Sequence, residues 1–291
     1  MSPAQRKVLL SAVLFFAFLG GGLLAWSGRD DGDRAAAVDG SEAAEEPDGE
    51  SGNAGVTTSI TSTTAPVTPS STTTTLPPDP VVQVFAATPP NAEEALAMAA
   101  TLATEIALPS DCGLPLDVPE SLPNSPREYR TGTHQGIDFI CMRRGREAVV
   151  PMPGRVLVAV GDYVDPTPAE RSAVLSIAEQ AGSTPPWTLA MMYGNFVVLD
   201  HGVIDGVGHV VSVHAHFESL DDAITPGVMV EAGQRLGEIG NKGTNAASQG
   251  TERPQSIHLH WELYVDDLYL GAGLGFSDTR EIYRTLFAES L

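Results

Sequence analysis

The chain has 291 residues and a formal net charge of −21, from 16 Lys and Arg against 37 Asp and Glu. Such an excess of negative charge excludes a nucleic-acid binder, which needs a basic face to offset phosphate charge. The length fits one medium-sized domain with extensions, or two small domains, and the uneven composition favours the first.

Residues 1–27 read as a short cytoplasmic stub and a hydrophobic anchor. From Val8 to Trp26 there is no charge, and a helix rising about 1.5 Å per residue over that length crosses a hydrocarbon core of roughly 30 Å. Arg6 and Lys7 precede the run, while Arg29, Asp30 and Asp31 follow it. The positive-inside rule then puts the N-terminus in the cytoplasm and everything after Trp26 outside. A signal peptide cleaved near Ala25-Trp26-Ser27 is the alternative, and both readings export the remainder. The expected location is the cell membrane, single-pass with an extracytoplasmic C-terminal domain, or secreted if the segment is cleaved.

Residues 28–90 cannot build a core. An acidic block (DDGDRAAAVDGSEAAEEPDGE) gives way to VTTSITSTTAPVTPSSTTTTLPPDP, and such composition predicts a disordered, solvated spacer. In 91–128, residues 91–106 read as a short helix, with Asn91 as N-cap, Glu93 and Glu94 in its first turn and Pro109 beyond its end. Cys112 and Cys141 lie in the exported part, where a disulfide persists, and they are expected to pair. That bond would tie the pre-domain segment to the strand carrying Asp138.

The pattern changes at about Tyr129 to short β-like runs punctuated by Gly, Asn, Asp and Pro. The runs are GIDFI, RVLVAVG, NFVVLDHG, HVVSVHAHF, RLGEIG and IHLHWELYV. Residues 129–270 are therefore expected to form an all-β domain, an antiparallel sandwich or barrel. Residues 168–181 interrupt it with a helical pattern, read as an insertion on a loop. The tail, 271–291, carries a second candidate helix at 277–290, capped by Ser277.

Histidines gather in three segments that overlap these runs. In IHLHWELYV, strand alternation puts His258, His260 and Glu262 on one face and Leu259, Trp261 and Leu263 on the other. Two imidazoles so placed suit a metal site, or one ligand beside one acid–base group. In THQGIDFI, residues His134, Gly136 and Asp138 share a face if the segment is a strand, and Gly136 would leave room for an ion. Imidazole and carboxylate are ligands that zinc binds at about 2.0–2.2 Å, and three protein ligands leave a fourth position open. In HVVSVHAHFESL, Val211, Val213, Ala215 and Phe217 form an apolar face, with Ser212, His214 and His216 opposite. Each motif alone is weak, but the chain has only seven histidines and these three segments hold six of them. His201 reads as an exposed turn residue and His209 has no assigned role. Glu262 is a candidate hydrogen-bond partner of an imidazole, a plain surface carboxylate being the alternative.

These segments resemble the lysostaphin-like, or LytM-type, zinc endopeptidases that cut peptidoglycan peptides. The matching pieces are HQGIDF (134–139), PMPGRVLVAVG (151–161), YGNFVVLDHG (193–202), HAHFESL (214–220), VMVEAGQRLGEIGNKG (228–243) and HLHWELY (258–264). They cover about half the chain in the family's order. The resemblance implies a β fold with a groove, one Zn2+ held by His134, Asp138 and His260, and His216 and His258 as catalytic histidines. It implies peptidoglycan peptides as substrate and no organic cofactor. Two departures bear on the groove: a longer segment between Val160 and Tyr193, and the loop NAASQGTERPQS before HLH. A third is His214 where the family has tyrosine, which makes His214 a candidate supporting residue beside His216. The rival expectations are a non-catalytic binding module of the same fold, and a zinc peptidase acting on a protein outside the cell wall.

Overall fold

The computed structural model describes residues 88–290. The hydrophobic segment and nearly all of the spacer lie outside the described residues. Among the described residues no helix is long and apolar enough to cross a membrane.

In chain order the elements begin with helix α1 (Ala92–Leu102) and strands β1 (Pro126–Arg127), β2 (Gly132–Thr133), β3 (Ile137–Ile140), β4 (Glu147–Val149) and β5 (Gly154–Val160). Helices α2 (Pro168–Ala181) and α3 (Pro186–Tyr193) precede β6 (Asn195–Ile204), β7 (Gly208–Leu220), β8 (Met229–Val230) and β9 (Arg235–Ile239). The short helix α4 (Asn245–Ser248), β10 (His258–Val265), β11 (Leu268–Tyr269) and α5 (Phe276–Leu286) complete the domain. The six expected β runs all form strands. The unexpected strands are two or three residues long, too short to show alternation.

Strands β3 to β11 form one antiparallel, nine-stranded sheet, with β1 and β2 pairing separately. The expectation of an all-β sandwich or barrel is thus met only as a mostly antiparallel β domain, because the strands are hydrogen-bonded into a single branching sheet and helices cover part of it. β7 is the hub, paired with β6, β10 and β9. Its partner β10 also pairs with β3, in a register that sets His260 opposite Asp138 and Trp261 opposite Ile137.

Both faces of this central region are buried. One face holds Phe139, Phe217, Leu259, Trp261, Leu263 and Phe287. The other holds Tyr193, Phe196, Val198, Val213, Ala215 and Tyr264. α3 closes this second face through Leu189, Ala190, Met192 and Tyr193, so the long segment after Val160 is a wall of the domain rather than a loop decoration. α2 is capped by Thr167 and Glu170 in a reciprocal box, starts at Pro168 and stops at Gly182 in the left-handed region.

α1 has the expected cap: Glu94 N–H donates to Asn91 Oδ1 (3.0 Å) and Asn91 N–H to Glu94 Oε2 (2.9 Å). It ends at Leu102 rather than Ile106, and buries Ala95, Ala99 and Leu102 against α5. α5 begins one residue before Ser277, with Gly275 as N-cap and no side-chain cap, so the serine cap does not form. Thr279, Ile282, Tyr283 and Leu286 supply its buried stripe, which orients the helix without help from Ser277. Cys112 and Cys141 are disulfide-bonded, joining the segment after α1 to the end of β3.

Candidate metal centre

Three lone pairs converge beneath β10. His134 Nε2 lies 3.0 Å from Asp138 Oδ1 and 3.0 Å from His260 Nδ1, and His260 Nδ1 lies 2.8 Å from Asp138 Oδ1. The other nitrogen of each imidazole is already committed. His134 Nδ1–H donates to the Leu122 carbonyl (3.0 Å), and His260 Nε2–H donates to Glu262 Oε1 (2.7 Å). Since a carbonyl and a carboxylate only accept, the tautomers of the neutral rings follow, and in those both inward nitrogens present lone pairs toward the Asp138 oxygen. Buried acceptors so aimed require a positive charge between them, which a proton on His260 meets in part and a metal cation at their centre meets for all three. Ligand atoms about a zinc ion at 2.0–2.2 Å are roughly 3.3 Å apart, only a few tenths wider than these separations. The trio is the one His/Cys/Asp/Glu group among the described residues whose ligand atoms cluster in this way.

The surrounding charges agree with that reading. Burial opposes a charge on His260, yet its hydrogen bonds to Asp138 and Glu262 raise its pKa to about 9. Burial lowers that of His134 to about 4, against the pull of Asp138. Burial also opposes ionisation of Asp138, but the neighbouring imidazoles hold its carboxyl well below the usual range.

Glu262 is fully buried and saturated. It accepts from His260, from Tyr193 OH (2.9 and 2.8 Å) and from Tyr264 OH (3.0 Å), so the plain-surface alternative is excluded. Tyr193, the last residue of α3, also stacks on His260 with ring centroids 5.8 Å apart.

His134 and Asp138 do not share a strand as expected. His134 follows β2, β3 starts only at Ile137, and the chain turns between them. Gly136 serves this turn rather than the ion: a Cβ there would sit 2.3 Å from the Trp261 carbonyl oxygen and 2.8 Å from Glu262 Cγ. The absent side chain lets the segment lie directly on the β10 backbone.

His216 and His258 flank the trio, with ring centroids 4.6 Å apart. Each is pinned through Nδ1–H, His216 to the Lys242 carbonyl (2.7 Å) and His258 to the Ser256 carbonyl (3.1 Å). Their Nε2 atoms are left toward the cleft, that of His258 being 3.8 Å from Asp138 Oδ1. Burial, reinforced by the other imidazoles, holds His216 well below the ordinary histidine range, and burial lowers His258 as well.

The two histidines of β7 part company. His216 has φ 69°, a left-handed conformation rare for a residue with a side chain, and the pairing of β7 with β6 shifts there. The extra residue reverses the alternation. Ala215 faces Tyr193 and Phe196, Phe217 enters the opposite core, and the expected common face of His214 and His216 does not exist. His214 is instead fully buried edge-on against Trp261, with no hydrogen-bond partner for either ring nitrogen among the described residues. It does not lie beside His216 in the cleft. His201 is likewise no exposed turn: it lies in β6, half-buried, bonded to the Pro153 carbonyl (2.9 Å) and Ser212 Oγ (2.7 Å).

The helical segment braces the loop that holds His216. Arg171 of α2 donates to the Gly243 carbonyl (2.8 Å), and Gly243 N–H donates to Asp165 (2.6 Å), which also pairs with Lys242. Gly243, at φ 81°, approaches so closely that a Cβ would meet the Met192 carbonyl at 2.3 Å.

Two arginines at the site escaped the sequence reading. Arg127 Nη2 lies 3.3 Å from Asp138 Oδ2, leaving Oδ1 to the imidazoles, and also donates to the Glu120 carbonyl (2.8 Å). Arg130 lines the same cleft of about 70 Å3. Neither belongs to a periodic run, so no pattern marked them. A wider cavity, about 600 Å3, lies beside Asp111, Arg146 and Ser290; no histidine lines it, and the chemistry is in the smaller one.

Residues 132–271 match the family model described as Peptidase family M23. This segment is an M23 peptidase domain. It contains all five of the histidine and aspartate side chains gathered at the cleft. Among solved structures, the chain is similar to Helicobacter pylori Csd3, at 18% identity over 47% of this chain and 25% of that one, TM-score 0.28. It is similar to the catalytic domain of lysostaphin from Staphylococcus simulans at 19% identity, over 51% and 83% of the two chains, TM-score 0.30. A zinc-containing peptidase from Vibrio cholerae matches at 20% identity over 49% and 31%, TM-score 0.27. The chain thus spans a third or less of Csd3 and of the Vibrio peptidase. A comparison with curated proteins returned no significant match.

Proposed function

We propose that the M23 domain is a zinc-dependent endopeptidase that hydrolyses peptide bonds of peptidoglycan, exported and tethered by the N-terminal hydrophobic segment. The observation that carries this reading is the convergence of His134 Nε2, Asp138 Oδ1 and His260 Nδ1 beside two further imidazoles. A binding module would have no use for five polar side chains held in complementary tautomers. Zinc in that position would supply Lewis acidity toward a scissile carbonyl and an attacking water.

The remaining roles fall to the chain's own residues. With Nδ1 pinned and burial keeping them neutral, His216 and His258 can each present Nε2 to the substrate. One takes the water's proton and returns it to the leaving amine, while the other donates to the oxygen on which negative charge develops. Glu262 fixes His260 in its ligating tautomer, and Arg127 fixes the Asp138 carboxylate. Peptidoglycan as substrate and export to the wall are supported by the resemblance of the motifs and by the uncharged run followed by an acidic and Ser/Thr/Pro-rich spacer.

The test is digestion of purified muropeptides by the full-length chain, with and without a chelator, beside His134→Ala. Hydrolysis that is abolished by chelation, restored by zinc and missing in the variant is expected. Undiminished hydrolysis by His134→Ala would refute the assignment. Cleavage of unrelated proteins but not muropeptides would move the substrate outside the wall.

A further inference from the structure

Arg130 is a buried cation without a counter-ion. Only 4% of it is exposed, and among the described residues no carboxylate lies within ion-pairing distance of it. Its Nη1 donates to Thr184 Oγ1 (3.1 Å) and its Nη2 to the Thr133 carbonyl, which position the guanidinium but do not neutralise it. Burial of an arginine normally requires a paired anion, and the guanidinium has N–H donors beyond those two bonds. The group lines the same small cleft as His134, Asp138, His216 and His260.

The charged groups around it are engaged elsewhere. Arg127 is occupied by Asp138, Glu262 by His260 and two tyrosines, and Asp165 by Lys242. With neutral imidazoles the two arginines balance Asp138 and Glu262, so a divalent cation would leave the cleft net positive within a chain of net charge −21. Anionic peptides would be drawn to that spot and repelled elsewhere on the molecule.

We infer that Arg130 is a substrate-binding residue that takes a carboxylate close to the scissile bond, making this domain selective for acidic peptides over uncharged ones such as glycine runs. The inference rests on the peptidase reading above. A guanidinium binds a carboxylate through paired N–H donors, a geometry that lysine cannot copy. Local folding aims it there. Arg130 ends a single turn of 3-10 helix (Glu128–Arg130), Thr131 follows at φ 53°, and Gly132 has no Cβ, which would otherwise meet Arg130 Nη1 at 3.0 Å.

The experiment uses the full-length zinc-loaded chain and three matched peptides: one with a side-chain carboxylate beside the scissile bond, one with only a free C-terminal carboxylate, and one amidated and neutral. A charged hydrogen bond worth about 1.5–3 kcal/mol predicts a preference of roughly 10- to 100-fold in kcat/KM for an acidic peptide, carried mainly by KM. The first two peptides tell which kind of carboxylate is read. Arg130→Gln should bring the ratio of acidic to neutral substrate close to unity, and Arg130→Lys should restore part of it. Equal rates for the acidic and neutral peptides in the wild type, or an unchanged ratio in Arg130→Gln, would overturn the inference. If no peptide is cleaved, the peptidase reading fails. The inference is then still decided by calorimetric binding of the same peptides, where equal affinity of acidic and neutral forms counts against it. Because the wild-type comparison needs no substitution, a variant that fails to fold leaves the test intact.

Discussion

β10 and β7 run side by side and each carries a His-x-His pair, yet they use it in opposite ways. On β10 the strand is regular, so His258 and His260 face the cleft together while Leu259 and Trp261 enter the core. On β7 the left-handed residue His216 reverses the alternation, and only that histidine reaches the cleft while His214 is buried behind it. The same three-letter pattern thus encodes a pair of site residues in one strand and one site residue plus one core residue in the next. A left-handed non-glycine residue costs roughly 1–2 kcal/mol. Here the strain is held by the His216 bond to the Lys242 carbonyl and by Gly240 N–H donating to the His216 carbonyl (2.8 Å). Such strain is expected where placing a side chain matters more than stability.

The largest effect expected from this contrast separates the two histidines of β7. His216→Ala should lower turnover by about 10²–10⁴-fold, the usual range for a positioned acid–base group, while leaving one zinc bound per chain. His214→Leu should leave turnover within a few-fold of wild type. Steady-state kinetics with metal analysis checks both, and the contrast breaks if the two variants lose activity equally.

Next is the carboxylate behind β10. Glu262→Leu removes the acceptor that holds His260 in its ligating tautomer and should weaken zinc binding about 10- to 100-fold, measured by competition with a chelating dye. An unchanged zinc affinity would mean that Tyr193 stacking and the β10 backbone orient the ring by themselves.

How far this contrast could be read in advance depends on periodicity. The regular strand β10 was legible down to its faces, because alternation is a direct consequence of extended backbone. The bulge was not, since nothing in Val213-His214-Ala215-His216-Phe217 marks a residue for positive φ; a glycine would have done so. His134 and Asp138 meet, but through a turn over Gly136 rather than along one strand, and alternation does not predict such a turn. Arg127, Arg130 and α3 carry no periodic signal, because they are placed by contacts from distant segments such as Thr184 and Tyr163. The cap expected at Asn91 forms, because it and Glu94 lie within three residues of each other, whereas the cap expected at Ser277 does not, because that helix end is set by its buried stripe.

A smaller, purely structural effect tests the turn. Gly136→Ala would push a methyl group onto the Trp261 carbonyl, and overpacking of this kind costs about 1–3 kcal/mol. A lowered thermal midpoint is expected, with zinc affinity reduced because His134 and Asp138 hang from the same turn. An unperturbed midpoint would show that the segment can lift off β10 freely.

The smallest expected effect is also the most specific to the buried half of the contrast. His214 has no exposed surface and, among the described residues, no partner for its ring nitrogens, and burial holds its pKa well below 6.5. The sign follows from where protons bind. Below the unfolded-state value of about 6.5 the unfolded chain takes up a proton at this position and the folded chain does not. Stability is therefore lost as pH falls through and below that value, by at most about 1.4 kcal/mol per pH unit for one such group. His214→Leu removes that contribution, and at neutral pH it also removes a buried polar group without a partner, worth about 1–3 kcal/mol against some loss of fit with Trp261. Urea titrations between pH 7 and pH 5 should show the variant at least as stable as wild type at pH 7, with a shallower acid slope. His134, His201, His216 and His258 are lowered in the same direction, so part of the slope must survive in the variant. A variant whose slope matches wild type would mean that His214 already meets a proton donor or water in the core, and that its separation from the cleft is not electrostatic.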